Sequence, residues 1–338
     1  MFDYIARRSA STVLVVISVT VLVFLMMQMT PGDPAMIMLG EYATQEAVSA
    51  LRHQLGLDLP LPVQYWRFMS RAVRGDFGRS IRTGQAVVDE IKAVLPATVE
   101  LALVALVFTV LYGVGVGILS AVKRGSALDG VVRVVSLAGI GMPTFWLGLM
   151  LVMIVSHRLG LLPATGRLPV FTDLPRITGF HLIDSLIARD FRALGDACRH
   201  LMLPAITLSI TSTATIERMT RSSMLEVLRQ DYVVTARAKG LPEYIVIGKH
   251  ALKNGMISVV TVLGLQFGNM LGGAALTETI FAWPGMGRLM VTAIRARDIP
   301  VVQSCVLVIA VFFSLINFVV DILYGVLNPR IRIQGGSK

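Results

Sequence analysis

Long apolar runs alternate with polar segments along the whole chain. Six runs stand out, at residues 10–29, 97–121, 131–156, 201–216, 256–282 and 301–324. Most of them approach the roughly 20 apolar residues that an α-helix needs to cross the hydrocarbon core of a bilayer. The pattern therefore predicts an all-α polytopic membrane protein with six transmembrane helices, of which the fourth is short and rich in Ser and Thr.

The spacing of these runs divides the chain into segments. The N-terminus, 1–9, precedes a first span at 10–29, which is longer than the roughly 7 to 15 apolar residues of a signal peptide and lacks a small-residue cleavage site. A mixed polar segment, 30–96, leads to a core at 97–325 that contains the other five spans, and a tail follows at 326–338. Within the third span, Pro143 predicts a kink because proline removes a backbone donor.

Composition agrees with a membrane protein and limits the other classes. Hydrophobic residues make up 54% of the chain and charged residues 15%, and the mean hydropathy is +0.71. The net charge of +10 does not indicate nucleic-acid binding, because the basic residues are scattered among loops without interleaved aromatic residues. A lipid bilayer is the expected surrounding, and a charge bias between its two sides explains the excess of basic residues.

Basic residues predict the orientation in the membrane. Together with Arg133 just inside the third run, the N-terminus, the loop near Lys123 and Arg124, the loop 217–255 and the tail hold 15 of the 31 Lys and Arg, although they are much shorter together than the opposite loops. The side richer in Lys and Arg faces the cytoplasm in most membrane proteins. We therefore predict cytoplasmic termini, a cytoplasmic loop 217–255, and external segments at 30–96, 157–200 and 283–300.

Catalytic and metal sites find no support in the sequence. The two cysteines, Cys198 and Cys305, cannot form a disulfide framework and make a cysteine metal site improbable. The five histidines show no i, i+4 pair, and no Gly-x-Ser-x-Gly motif is found. We expect no catalytic residue, no metal ligand and no cofactor in this chain.

The cytoplasmic loop contains a basic segment, 231–254, with local signals for two short helices. The first helix is predicted near 222–239, Gly240 suits its C-terminal cap, and Pro242 suits the first turn of the second. The result would be a helix-turn-helix element outside the membrane. The alternative is a basic loop that only fixes the topology.

The segment resembles the coupling loop of permease subunits of ATP-binding-cassette importers. The resemblance rests on TARAKGL at 235–241 and HALKN at 250–254. The general family pattern is Glu-Ala-Ala, three residues, Gly, nine residues and Ile-x-Leu-Pro, and this chain departs from it at Val234, Thr235, His250 and Lys253. These departures match the dipeptide and oligopeptide branch, as do PGDP at 31–34, ETIFAWPGMG at 278–287 and LYGVLNPRIR at 323–332.

The resemblance, closest to the first permease of the dipeptide pair, carries expectations about fold and partners. It implies the type I importer permease fold in the bacterial inner membrane, a heterodimer with a second homologous permease, two ATPase subunits that bind ATP and Mg, and a periplasmic peptide-binding protein. The residues that it implies for contact with the ATPases are Asp231, Tyr232, Thr235, Ala236, Arg237, Ala238, Lys239, Gly240 and Leu241. Among the substrates of this branch, dipeptides, longer peptides, glutathione, nickel chelates and haem stay open.

An external energy source is also required by simple thermodynamics. No Walker A motif is present, since Gly248-Lys249 is followed by His250. Driving a two-state equilibrium from 1:99 to 99:1 takes roughly 5.5 kcal/mol. The resemblance assigns this work to the ATPases; a proton-coupled carrier and a membrane-bound enzyme are the rival classes.

The fifth run has two distinct faces when drawn as a helix. Gly264, Gly268 and Gly272 fall on one side, where small residues would allow close helix packing. On the other side lie Gln266, Asn269 and Thr277, with Glu278 next to them. We predict that these four residues line either a translocation path or a helix interface.

Four acidic residues lie near the ends of predicted spans. For Glu100, Glu217, Glu278 and Asp321, which lie within about four residues of a span end, we expect placement at the membrane interface rather than in a proton relay. Glu278 differs from the other three, because it follows Thr277 of the polar face and is the first residue of the ETIFAWPGMG motif. It is a candidate member of an external gate.

Reporter fusions test the predicted topology. A reporter joined after Ala127 is expected to be active in the cytoplasm, and one joined after Thr178 is expected to be active outside. Alkaline phosphatase and a fluorescent protein, which are active on opposite sides, provide the two measurements. The reverse pattern would overturn the orientation.

Overall fold

The computed structural model describes residues 2–29, 33–40 and 43–327. The regular secondary structure of these residues consists of helices. Within these residues the only β-type pairing is an isolated bridge between Arg79 and Ala86. The all-α prediction is thus confirmed. The predicted motifs PGDP and LYGVLNPRIR extend into residues 30–32 and 328–332, and most of the tail 326–338 likewise lies outside the described residues.

The helices follow one another in a simple order. The first half of the chain contains α1 (Phe2–Gln28), α2 (Pro34–Leu39), α3 (Gln45–Leu55), α4 (Leu61–Val73), α5 (Val87–Phe108), α6 (Gly115–Val122), α7 (Ala127–Gly141) and α8 (Thr144–Leu151). The second half contains α9 (His181–Ile187), α10 (Phe191–Val227), α11 (Asp231–Ala238), α12 (Glu243–Ile245), α13 (Leu252–Ile280), α14 (Met286–Arg295) and α15 (Ile299–Leu327). Wider π-helical turns at Thr109–Val114, Val152–Arg158 and Val246–Ala251 join α5 to α6, extend α8, and join α12 to α13.

Length and apolar composition identify most of the predicted spans among the described residues. Four helical stretches can cross a bilayer, at Arg8–Met26, Val87–Val122, Glu243–Ile280 and Ile299–Ile322, and the bent pair α7 and α8 raises the number to five. The remaining predicted span, 201–216, lies inside α10. This helix has 37 residues, or about 55 Å at 1.5 Å per residue, but its many Ser and Thr side chains make it less apolar than the others.

The third span breaks sharply at Pro143. Helix α7 ends at Gly141, Met142 is extended (φ −85°, ψ 131°), and α8 begins at Thr144 with its axis turned by 106°. Steric contact with the proline ring disfavours helical geometry for the preceding residue, which explains the extended Met142. The predicted bend is confirmed, although it is a break between two helices rather than a kink within one.

The helix of the second span begins ten residues before its apolar run. The apolar run of the second span begins at residue 97, whereas α5 already begins at Val87 and contains Pro96. Asp89 and Glu90 lie in its first turn, where carboxylates favour a helix N-terminus, so the helix extends beyond the apolar run. Apolar composition therefore located the span but not the start of its helix.

The two ends of the molecule differ in character. We call the end that contains Arg8, Asp321 and residues 228–251 the basic end, and the end that contains residues 33–86, 159–190 and 281–298 the loop end. Arg8 forms an ion pair with Asp321. Because each lies about 20 residues from the loop-end terminus of its helix, the pair is separated from that terminus by about 30 Å of helix, the thickness of a bilayer core.

Glycines allow the central helices to approach closely. A Cβ atom on Gly264 would lie 2.0 Å from a methyl group of Val320, and one on Gly268 would lie 2.8 Å from the ring of Phe313, so both contact α15. The predicted packing role is confirmed for these two residues, whereas an added Cβ on Gly272 would have no atom of this subunit within 4 Å. The glycine stripe is thus packed towards the basic end and open towards the loop end.

Alanine substitutions at helical glycines test this packing. Gly264→Ala is expected to lower the unfolding temperature of the assembled, detergent-purified protein, because overpacking costs about 1–3 kcal/mol. Gly195→Ala, in α10 with no atom within 4 Å of an added Cβ, is the matched control and is expected to unfold like the wild type. Equal unfolding temperatures for both variants would contradict the close packing on Val320.

Candidate functional site

The basic segment after α10 forms the predicted two-helix element, with corrected boundaries. The predicted first helix, 222–239, is interrupted at 228–230, since residues up to Val227 continue α10 and α11 begins only at Asp231. Gly240 has a left-handed backbone (φ +74°) and ends this turn as expected. The second helix is longer than predicted, because α12 continues through a π-helical stretch into α13.

One face of α11 is anchored and the opposite face is free. Val233, Ala236 and Val246 are buried together, which fixes α11 against the helix that follows Pro242. Of the nine residues expected to contact ATPases, Ala236 is therefore buried and Leu241 half-buried. The others are exposed, namely Asp231, Tyr232, Thr235, Arg237, Ala238, Lys239 and Gly240.

Polar contacts across the turn hold the two helices in register. Arg237 donates to Glu243 from Nη2 at 2.6 Å and from Nε at 3.2 Å, which bridges the turn at Gly240. Asn254 Nδ2 donates to the Tyr232 hydroxyl at 2.8 Å, so the start of α13 is bound to α11 as well. Each exposed contact contributes less than about 1 kcal/mol, and together they define the orientation of α11.

A buried ion pair near this segment joins three helices, and sequence reasoning missed it. Arg221 donates to both carboxylate oxygens of Asp129, from Nε at 2.7 Å and from Nη2 at 3.0 Å. Ser120 donates to the same carboxylate at 2.7 Å, so the ends of α6, α7 and α10 meet at Asp129. The sequence did contain a signal for this pair, because Asp129 is the one acidic residue in the short basic loop between the second and third apolar runs.

Glu217 lies one turn of α10 above this pair. Its Oε2 accepts a hydrogen bond from Ser136 of α7 at 2.7 Å, and the residue is 3% exposed. Its carboxylate is therefore held inside the subunit. Together with Asp129 and Arg221 it fixes α7 to the part of α10 that leads into α11.

The four candidate path residues of α13 do not share one environment. Gln266 accepts a hydrogen bond from Ser212 of α10 at 3.0 Å. This residue therefore lies at a contact between two helices, which was one of the two predicted alternatives. Asn269 is exposed, as are Gly272 and Gly273 beside it. Thr277 and Glu278 are buried within the subunit, at 1% and 0% exposure.

Glu278 caps the N-terminus of α14 inside the protein. Its carboxylate accepts hydrogen bonds from the Thr98 hydroxyl at 2.6 Å and the Arg288 amide at 2.9 Å. Thr98 in turn accepts from the Met286 amide at 2.7 Å. An added Cβ on Gly285 would come within 2.1 Å of Glu278 Oε1, so the glycine of the ETIFAWPGMG motif leaves room for this carboxylate.

Glu100 is the second buried carboxylate at the loop end. Arg167 forms an ion pair with it, and the Leu182 amide donates to its Oε1 at 2.8 Å. The guanidinium carbon of Arg167 lies 5.5 Å from the centre of the Trp283 ring, and Nη2 also donates to Gly179 O at 3.0 Å. Burial lowers the pKa of Arg167 below its ordinary value, and the charge of Glu100 opposes this effect.

Glu100 and Glu278 are thus both buried within the subunit, at 3% and 0% exposure, and protein donors satisfy their carboxylates. Among residues 2–29, 33–40 and 43–327, no cluster of three His, Cys, Asp or Glu side chains has the arrangement of a metal site.

Two family descriptions match the chain and together cover nearly all of it. Residues 113–333 match "Binding-protein-dependent transport system inner membrane component", and residues 1–102 match the N-terminal component of the same membrane proteins. The first match contains α11 and α13, and the second contains α1 to α4.

Curated relatives are similar over the full length. The chain is 48% identical to the di/tripeptide transport system permease protein DppB of Pseudomonas aeruginosa, covering 99% of this chain and 100% of the relative. It is 47% identical to the dipeptide transport system permease protein DppB of Escherichia coli K12, covering 98% and 99%. It is 40% identical to the glutathione transport system permease protein GsiC of an Escherichia coli O1:K1 strain, covering 99% and 100%.

A solved structure has the same fold. The MetNI methionine ABC transporter, in its inward-facing crystal form, includes a chain that matches with a TM-score of 0.51 at 15% identity, covering 69% of this chain and 93% of that one. The likeness agrees with the type I importer fold. By its sequence matches along α1 to α15, this chain belongs to the family of binding-protein-dependent transport system inner membrane components.

Proposed function

We propose that this chain is the permease subunit of an ATP-driven importer that moves dipeptides or other short peptides across the inner membrane. The observation that carries the proposal is the 48% identity, over 99% of the chain, to a di/tripeptide permease. Identity to the glutathione permease is lower, at 40%, which favours unmodified short peptides as the substrate class. A periplasmic binding protein would deliver the peptide at the loop end.

The exposed face of α11 is the surface that we assign to the ATPases. It combines a fixed orientation with free side chains, since Val233 and Ala236 are buried while Tyr232 is 42% and Val234 54% exposed. A separate ATPase that bound this face could supply the roughly 5.5 kcal/mol needed to switch the permease between states. ATP and Mg would then be bound by that partner, and the basic end would face the cytoplasm.

A second homologous permease is the partner that we assign to the uncovered stripe of α13. The exposed residues Leu265, Asn269, Gly272, Gly273 and Leu276 lie on one side of this helix. Small residues at such a stripe allow another membrane helix to approach closely. A path between two such subunits would be lined by Asn269, with Gln266 at its edge and the buried Thr277 and Glu278 behind its external end.

Substitutions at Gly240 test the assignment of α11. Gly240→Val is expected to lower dipeptide uptake severalfold, because a β-branched residue in left-handed geometry costs about 1–2 kcal/mol and shifts α11. Gly240→Asn should retain most of the uptake, since Asn adopts this geometry readily. Labelled dipeptide uptake and ATPase activity stimulated by the binding protein provide the measurements.

Gly248→Val is the matched control for these variants. Gly248 is equally free of neighbours within 4 Å and lies in the same segment, but its φ is not positive. Uptake close to wild type is expected. If Gly240→Val transported normally, the coupling assignment would fail; if no variant or wild type took up dipeptide, the substrate assignment would fail.

Cysteine labelling tests the path. In a Cys198→Ser background, which removes the exposed native cysteine, Asn269→Cys is expected to react with a small charged methanethiosulfonate reagent in the assembled transporter. Thr277→Cys, at a position that is 1% exposed, is the control and should stay unmodified. Protection of Asn269→Cys both with and without nucleotide would instead assign this residue to helix packing.

A further inference from the structure

Helix α4 exposes apolar side chains that the rest of the described subunit leaves uncovered. Trp66 is 72% exposed and Val73 is 83% exposed, and at about 100° per residue the two lie on the same side of the helix. A second side, about 100° around the helix, is attached to α1, since Tyr65 shares a hydrogen bond of 2.8 Å with Thr20 and its ring lies edge-on to that of Phe24. The apolar face therefore lies beside α1 and is open to the surroundings.

A third side of α4 is basic. Arg67, Arg71 and Arg74 lie about 80–140° around the helix from Trp66. Arg71 is paired with Asp76 at 2.8 Å, whereas no ion pair with Arg67 or Arg74 is found in the part of the chain that the structure describes. Apolar and basic faces side by side, with an exposed tryptophan, are typical of a helix that lies in the headgroup region of a membrane.

An apolar groove continues from α4 into the membrane-spanning region. It has a volume of about 320 Å³ and lies between α1, α4 and α15, with Val16, Val73, Phe77, Val311 and Phe312 among its walls. The volume is about twice that of the roughly 150 Å³ apolar cavity that takes up benzene, so it accommodates roughly a dozen carbon atoms. All the residues that line it are apolar.

The depth of the groove matches one leaflet of a bilayer. Val311 lies 12 residues from Ile299, where α15 begins, and Val16 lies 12 residues from Gln28, where α1 ends. At 1.5 Å per residue both are about 18 Å from the loop end, close to the middle of a hydrocarbon core of about 30 Å. The groove therefore reaches from the headgroup region to the centre of the membrane.

We propose that this groove is a binding site for one phospholipid with an anionic headgroup, taken from the leaflet at the loop end. One acyl chain fills the groove along α15, and the headgroup phosphate lies at Arg67 and Arg74. The charge of the two arginines complements the phosphate and a further negative charge on the headgroup. The apolar lining side chains disfavour water and peptide, because neither could satisfy its hydrogen bonds with them.

Lipid retention by the assembled transporter tests the proposal. The complex is reconstituted into vesicles of phosphatidylcholine and phosphatidylglycerol, extracted in mild detergent and analysed for bound phospholipid by native mass spectrometry. The wild type is expected to retain phosphatidylglycerol above its share in the vesicles. Val311→Trp, which fills the groove, is expected to lose one bound phospholipid per copy of the chain.

Matched controls separate the groove from general contact with lipid. Val319→Trp changes an exposed residue of the same helix outside the groove and is expected to retain the wild-type number of lipids. Arg67→Gln with Arg74→Gln should keep a lipid but lose the preference for phosphatidylglycerol, whereas Arg192→Gln with Arg199→Gln, two exposed arginines elsewhere, should keep it.

Three results would overturn the proposal. The wild type could retain no phospholipid, or Val311→Trp could retain as many as the wild type. In the third case Val311→Trp would release the second permease subunit from the complex, which would make the groove a protein interface. The unfolding temperature of each variant, measured in the same detergent, identifies any loss of lipid that follows from loss of folding.

Discussion

A carboxylate inside a membrane protein must find its hydrogen-bond donors within the protein, and this constraint organises the loop end. Glu100 on α5 and Glu278 on α13 each accept a hydrogen bond from a backbone amide of a loop-end helix. The donors are the amides of Leu182 and Arg288. Removing one partner of such a buried group leaves the other uncompensated, at a cost of several kcal/mol. The loops are therefore fixed to the spans by polar contacts that the apolar environment makes expensive to break.

The same constraint operates at the basic end with a different partner. There Asp129 and Arg221 satisfy each other, and Glu217 accepts from Ser136. Helix α10 extends from the loop end at Phe191 to the basic end at Val227, and it contributes Arg221 and Glu217 to these contacts. The surface that we assign to the ATPases thus continues directly from a helix that spans the subunit and is attached to α6 and α7 by buried charge.

The sequence predicts features that depend on local chemistry. The apolar runs located the spans, Pro143 located the break, and Gly240 located the turn before α12, because each depends on one or two neighbouring residues. The sequence alone could not predict ion pairs between residues far apart in the chain. Glu100 and Arg167 are separated by 67 residues, and Asp129 and Arg221 by 92. Position near a span end did not identify the partners of Glu278, since only the fold brings Thr98 and the start of α14 to it.

The break at Pro143 divides the third span into halves that belong to opposite ends of the subunit. Helix α7 is fixed by Asp129 and Ser136, while α8 packs through Gly148, where an added Cβ would lie 3.1 Å from Thr207 and 3.4 Å from Phe281. No continuous ladder of backbone hydrogen bonds joins the halves across the extended Met142. A displacement of one half therefore reaches the other through the side chains of neighbouring helices such as α10, so this span cannot transmit force along its own axis as a single rod.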